Sequence, residues 1–358
     1  MKPEPENFPA HRSGSFFRRF PFSFLIWLIF LFGLALISLL IFIWLGPVKV
    51  EFSFQEFFSQ LGAILRGGEL SEPGIIWLRI RLPRALAGLL VGGGLALAGA
   101  CFQAILRNPL ADPYLLGVSG GSAFGAILGM LLFPQKWGFA LVPVFAFLGA
   151  IVAIFLVIAV ARTRGRLPVL TLLLAGVVVN AFFSALVMLV LSLSPQRHLP
   201  EAVFWMMGKL SSANYLQLVL LLIYYIPGAG FLFSLWRDFN LFALGDESAQ
   251  QLGVEVERTK LLAFIFASLL TASAVSISGL IGFVGLMVPH FLRIIFGPDH
   301  RFLLPGSFLL GGSFLIFCDL GARTIIAPAE LPVGVITAIL GGPFFSWLLA
   351  RAKGELGR

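Results

Sequence analysis

RLPRALAGLLVGGGLALAGACFQAILRNPLADPYLLGVSGGSAFGA, residues 81–126, decides the fold of this chain. Its first half is apolar and built from small side chains: Gly92, Gly93, Gly94 and Gly99 alternate with Ala96, Ala98 and Ala100. Between helices in a membrane, association depends on van der Waals packing, which small residues permit at close range. The composition therefore predicts a span gripped tightly by its neighbours. Asn108-Pro109 and Asp112-Pro113 then break the chain, because each proline pushes its predecessor out of the helical region. Residues 117–125 are again too rich in glycine for an ordinary lipid-facing helix, and suit a wall that packs closely or slides.

The rest of the chain has the same character. Hydrophobic residues make up 59% and charged residues 12% of 358, and mean hydropathy is +0.98; soluble domains carry roughly 25% charged residues. Apolar runs free of charge occur at 22–45, 85–106, 114–133, 139–161, 167–194, 215–236, 261–278, 279–292, 302–318 and 333–350. Most approach the roughly 20 residues that cross a hydrocarbon core. The sequence is thus expected to form an all-α, polytopic membrane protein of about ten transmembrane helices. Residues 21–358 form one transmembrane domain, and residues 1–20, rich in proline and charge, a disordered cytosolic arm. The division of 261–292 into two spans rests on the Gly/Ser-rich stretch at 276–285.

An even number of spans places both termini on one side. With that side cytoplasmic, sixteen of the twenty-five Lys and Arg residues fall in inner segments, as the positive-inside rule requires. The net charge of +8 is then a topological signal and not a sign of nucleic-acid binding. The first apolar run is too long for a signal h-region and reads as a retained span. The outer loop at 46–80 alternates Phe with polar residues near 50–65 and predicts an interfacial amphipathic helix. Residues 202–209 predict a short outer helix, with Trp205, Met206 and Met207 either lining a vestibule or filling core.

One inner loop stands apart as a cytosolic coupling segment, RDFNLFALGDESAQQLGVEVERTK at 237–260. Asp246 is a good helix N-cap, Glu247 falls in the first turn, Ala249 and Leu252 share a face at i, i+3, and Gly253 is the expected left-handed stop. So short a helix needs support from the domain beneath it. A solvated loop with a chance turn is the ordinary alternative. In the C-terminal third, His290 and Arg293 lie on one side of a short apolar run, where a buried cation should snorkel or pair. Asp319 and Arg323 are spaced to pair at i, i+4.

Several function classes are excluded by what is missing from the sequence. There is no G-x-x-x-x-G-K-[ST], so the chain does not bind ATP through a P-loop. An ion-coupled secondary transporter of a small solute is the main alternative, but it would need ionisable residues at mid-membrane, and none of the apolar runs holds Asp or Glu. There is no H-E-x-x-H, Cys101 and Cys318 are ordinary span residues, and His11, His198, His290 and His300 have no ligand spacing. Neither enzymatic activity, a cofactor nor a bound metal is expected.

RLPR at 81–84, the glycine-rich span, Q-x-x-x-x-NPLA-x-P-x-x-LG at 103–117, GLIGFVGLMVPHFLR at 279–293 and AELPVGV-x-T-x-x-LG-x-P-F-F at 329–345 occur in this order over about residues 75–352. Together they resemble the permease subunits of type II ABC importers, which serve vitamin B12, ferric siderophores and haem. The resemblance implies a homodimer in the bacterial inner membrane, two cytosolic ATP-binding subunits below it and a soluble substrate-binding protein above. By the same resemblance Asn108, Leu110, Val169 and Leu170 form the cytoplasmic gate, Glu247, Ala249, Leu252 and Gly253 couple to the ATPase, and Arg81, Arg84 and Arg323 meet acidic residues of the binding protein. The B12 permeases carry hydroxyl residues at Val169 and Leu170, so this chain favours an apolar gate. The breadth of the family favours an iron chelate over cobalamin.

Overall fold

The computed structural model describes residues 21–47, 53–66, 68–133, 135–196, 199–210 and 213–356. The arm expected at 1–20 lies outside them. The helices are α1 Pro21–Trp44, α2 Phe54–Leu65, α3 Glu72–Ile105, α4 Val118–Leu132, α5 Gln135–Ala161, α6 Val169–Leu193 and α7 Leu199–Met206. They continue with α8 Tyr215–Ser234, α9 Trp236–Phe242, α10 Asp246–Gln251, α11 Val256–Ser278, α12 Val284–Phe296, α13 His300–Thr324 and α14 Val333–Leu356. Seven of these (α1, α3, α5, α6, α8, α11 and α13) are long and apolar enough to cross a membrane, and α4, α12 and α14 are shorter apolar helices. The 261–292 run does divide: Gly279 and Phe283 both adopt φ of +68°, which ends α11 and restarts the chain as α12.

Helix α3 is the axis of the molecule. Its small residues let α13, α11 and α12 close around it, and nearly all of its length from Pro83 is buried. At Gly92 a Cβ would collide with the backbone of Gly311 on α13, and at Gly99 with the backbone of Gly285 on α12. Two glycines meet at each crossing, so the helix backbones touch with no side chain between them. Helix α4 packs in the same way on α5, where Gly121 meets Gly149. By contrast α6 exposes Leu170, Leu174, Val178, Phe182, Met188 and Leu193.

Two boundaries differ from expectation. Helix α3 begins at Glu72, where Ser71 caps it by accepting the Gly74 N–H at 3.3 Å, well before the charge-free run at 85. Arg81 and Arg84, which precede that run, are tolerated in the helix because they bond to the carbonyls ending α1 and to Asp319 inside the protein. The outer short helix, α7, occupies 199–206 instead of 202–209, and Gly208 turns the chain at φ +77°. The amphipathic segment is present as α2, with the Phe57 ring near Trp77 and Phe58 exposed.

Candidate functional site

The segments expected inside meet at one end of the bundle, named the inner end after that expectation. Asp246 Oδ2 is 2.5 Å from Lys260 Nζ and 3.6 Å from Arg107 Nη2. Glu257 Oε2 accepts the Leu167 N–H at 2.6 Å. Asn240 Oδ1 accepts the His300 N–H at 2.9 Å, while its Nδ2 donates to Asp299 Oδ1. The α9–α10 pair is therefore tied to the turn after α3 and to the start of α13, and through α11 to the turn before α6.

Helix α10 is six residues long, shorter than the two turns expected. Asp246 is not its N-cap: Gly245, at φ +99°, takes that position, and no side chain caps the helix. Asp246 stands first in the helix, where a carboxylate still suits the positive end of the helix dipole and is free to engage Lys260 and Arg107. The far end closes as a Schellman motif. Val254 N–H donates to Ala249 O and Gly253 N–H to Gln250 O, with Gly253 at φ +91°. Ala249 and Leu252 do not share a surface as the i, i+3 spacing suggested. Ala249 is fully buried beneath the helix, whereas Leu252 has already left helical geometry and is 60% exposed. Leu244, 61% exposed, flanks the other end. Glu247, Leu252 and Gly253 face outward, and Ala249 is a packing residue.

Two turns carry the residues expected to form the gate. In the first, Arg107 adopts φ +47°, Asn108 Oδ1 accepts the Leu110 N–H at 2.9 Å, and Asp112 caps the next turn by accepting the Tyr114 N–H at 2.8 Å. These side chains hold the backbone at the two X-Pro breaks. Burial pushes the Asp112 carboxyl up to about 6, against the Tyr114 hydrogen bond, which lowers it. In the second turn Thr163 and Arg166 bridge across Arg164 and Gly165, both at positive φ, as a tight two-residue hairpin requires. Pro168 then stands at the N-cap of α6, with Val169 half-buried and Leu170 68% exposed.

The three arginines expected to face a binding protein are interior at the opposite end. Arg84 forms a two-pronged pair with Asp319, Nε to Oδ2 at 2.7 Å and Nη2 to Oδ1 at 2.9 Å, and its Nη1 reaches Glu330 Oε1 at 3.0 Å. Arg81 donates to the carbonyls of Ile43 and Trp44. Arg323 donates to those of Phe42 and Leu45 and lies over the Phe42 ring. Arg81 and Arg84, though three apart, reach different neighbours. Asp319 takes Arg84 and not the expected Arg323. All three arginines are at most 8% exposed, with their guanidiniums bonded to the open carbonyls at the end of α1 or to the one acidic side chain of α13. In this position they clasp helices together and do not present charge outward.

Several partners escaped sequence reading. Arg293 donates to Gln103 Oε1 at 3.0 Å, which answers the expectation of pairing, but nothing local identified Gln103. Arg107, Asn240 and Glu257 appeared only as topological or loop residues, because their partners lie 60 to 139 positions away.

Near the other end, the break between α11 and α12 meets α7 and α14 around an open cavity of about 430 Å³. Met206, Met207, Leu280, Val335 and Ile339 line it, an apolar wall of flexible and branched side chains.

A helical bundle with seven membrane-length apolar helices and glycine-on-glycine crossings is that of a multi-pass membrane protein. The chain belongs to the FecCD transport family, whose profile matches residues 24–351. It is 44% identical over 270 residues to the cobalamin import system permease protein BtuC of Halobacterium salinarum, covering 75% of this chain and 72% of that one. It is 42% identical over 281 residues to the hemin transport system permease protein HmuU of Yersinia pestis, covering 78% and 84%. Among solved structures it matches an inward-facing metal-chelate type ABC transporter at TM-score 0.78 and 32% identity, covering 90% of this chain and 98% of that one.

Proposed function

We propose that this chain is the permease of an ATP-driven importer that moves a bulky iron chelate, a ferric siderophore or haem, into the cytoplasm. It works as a homodimer in the bacterial inner membrane, with both termini cytoplasmic, two ATP-binding subunits beneath it and a substrate-binding protein above. The observation that carries the reading is the inner helix pair. Leu244 and Leu252 project exposed from either end of α10 while Ala249 anchors its underside. Large apolar side chains held out on a short, supported helix suit a groove on a second protein. The same loop is bonded to both turns that hold Asn108, Leu110, Val169 and Leu170, which supports their role as the gate. The apolar cavity beside α7 suits the wall of an outer vestibule, and the exposed face of α6 suits a second copy of the chain. Relatives of similar identity carry cobalamin and hemin names alike, so the preference for an iron chelate over cobalamin rests on the apolar Val169–Leu170 turn and on the breadth of the family.

The test is reconstitution with a cognate ATPase and substrate-binding protein. ATP-dependent uptake of a ferric siderophore or haem into vesicles is expected. Uptake that is independent of ATP, or driven by an imposed ion gradient, refutes the reading.

A further inference from the structure

We propose that Glu257 and Asp246 are positioning residues that carry displacement of the α9–α10 pair to the two inner turns along separate arms, an inference that rests on the importer reading above. Lys260 Nζ, on a side chain only 4% exposed, holds Asp246 Oδ2 at 2.5 Å. Together with the Schellman closure at 249–254, this makes α10 and the first turn of α11 a single piece. Two of its carboxylates, Glu257 and Asp246, each reach a different turn.

The Glu257 arm runs to α6. Leu167 is buried, and its N–H lies between the Thr163–Arg166 bridge and Pro168. It precedes the N-cap, so no helical carbonyl is available to it, and Glu257 Oε2 supplies the acceptor. Pro168, with φ fixed by its ring, joins Leu167 directly to Val169 and Leu170. A shift of Glu257 is thus passed to Leu170 through three residues with little freedom to absorb it.

The Asp246 arm runs to the turn after α3. Arg107, held at φ +47° immediately before Asn108, places Nη2 3.6 Å from Asp246 Oδ2. Its two side chains are 42% and 36% exposed, so this arm is the weaker. A pure folding staple would tie the loop down at one point. Two ties from one rigid piece to two separate turns suit transmission.

The experiment uses the assembled transporter with Cys101 and Cys318 replaced by serine, and a single cysteine at Leu110→Cys or Leu170→Cys. Labelling by a membrane-impermeant maleimide is compared without nucleotide and with ATP plus vanadate. Glu257→Ala should abolish the nucleotide-dependent change at 170 and keep that at 110. The loss should be on the order of tenfold in the ratio of states, the weight of one hydrogen bond to a charged acceptor. Glu257→Gln, whose amide oxygen still accepts the Leu167 N–H, should restore it. Arg107→Ala should show the converse, a smaller loss confined to 110. The proposal is overturned if Glu257→Ala leaves the response at 170 intact, or if both positions lose their response together with thermal stability, as for a simple staple. If the parent transporter shows no change at either position, the gate assignment fails and takes the relay with it.

Discussion

Removing the Arg84 guanidinium, as in Arg84→Met, leaves Asp319 inside the bundle with 2% of its side chain exposed and its two-pronged partner gone. Breaking a buried pair from one side costs about 3–5 kcal/mol, because the remaining charge is uncompensated. Glu330 contributes far less to the intact cluster: its side chain is 40% exposed, and exposed ion pairs contribute about 0–1 kcal/mol. Glu330→Gln should therefore fall within about 1 kcal/mol of wild type. Arg84→Met/Asp319→Leu removes both charges at similar volume and should recover most of the single-variant loss. Arg84→Lys should be intermediate, since an ammonium cannot reproduce the fork. The measurement is unfolding by sodium dodecyl sulfate titration in a fixed mild detergent, followed by tryptophan fluorescence. If Arg84→Met is as stable as wild type, or if the double variant loses the sum of the two single losses, the pair is not the clasp described.

At Gly99, substitution by Ala places a Cβ against the Gly285 backbone and should cost about 1–3 kcal/mol by overpacking. Gly230→Ala, with open space around it, should be neutral or stabilising in the same titration. Asp112→Asn keeps the cap and removes the titration. The native carboxyl holds its proton up to about 6, against 3.8 for the free group. The folded state therefore binds more protons across that window, and wild-type stability falls relative to the variant as pH rises from about 4 to about 6; a pH-independent difference would refute this. Leu252→Asp and Leu244→Asp, both at exposed positions, should leave stability within about 0.5 kcal/mol of wild type while reducing co-purification of the ATPase. Normal co-purification of both variants would place the contact elsewhere.

Legibility from sequence followed the range of the interactions. The glycine stripe of 92–99 and the X-Pro breaks at 108–113 are local signals, and both were read correctly, because close packing and proline geometry are properties of the segment itself. The glycine at 253 likewise marked the stop of α10. The arginines show the limit. Asp319 and Arg323 were spaced to pair at i, i+4, and Arg81, Arg84 and Arg323 were expected to meet a binding protein. The partners of Arg81 and Arg84 were the Ile43 and Trp44 carbonyls and an aspartate 235 positions away. A helix periodicity records which residues are neighbours on one helix, not which neighbouring helix they meet. The same limit hid Glu257, whose partner is a backbone N–H and leaves no trace in sequence. The error at Asp246 was of another kind: Gly245 reaches φ +99° at little cost and took the cap one residue early.

The two ends of the bundle are fastened by different kinds of interaction, and that difference bears on which end moves. At the outer end, Arg84 and Asp319 are 10% and 2% exposed in their side chains, and the guanidiniums of Arg81 and Arg323 fill the carbonyl positions at the end of α1. Separating those helices would strand buried charges. The outer ends of α1, α3 and α13 should therefore behave as one rigid unit. At the inner end the tie between α10 and the turn after α3 is a single, partly solvated ion pair. Arg107 and Asp246 are 42% and 36% exposed, and water can replace either partner at little cost. A displacement imposed on α9–α10 meets its smallest resistance there. The Leu110 turn is thus held to α10 by a weak, solvated tie, while the far end is held by buried ones. That asymmetry follows from burial and bond type alone, and it agrees with the inner gate proposed above.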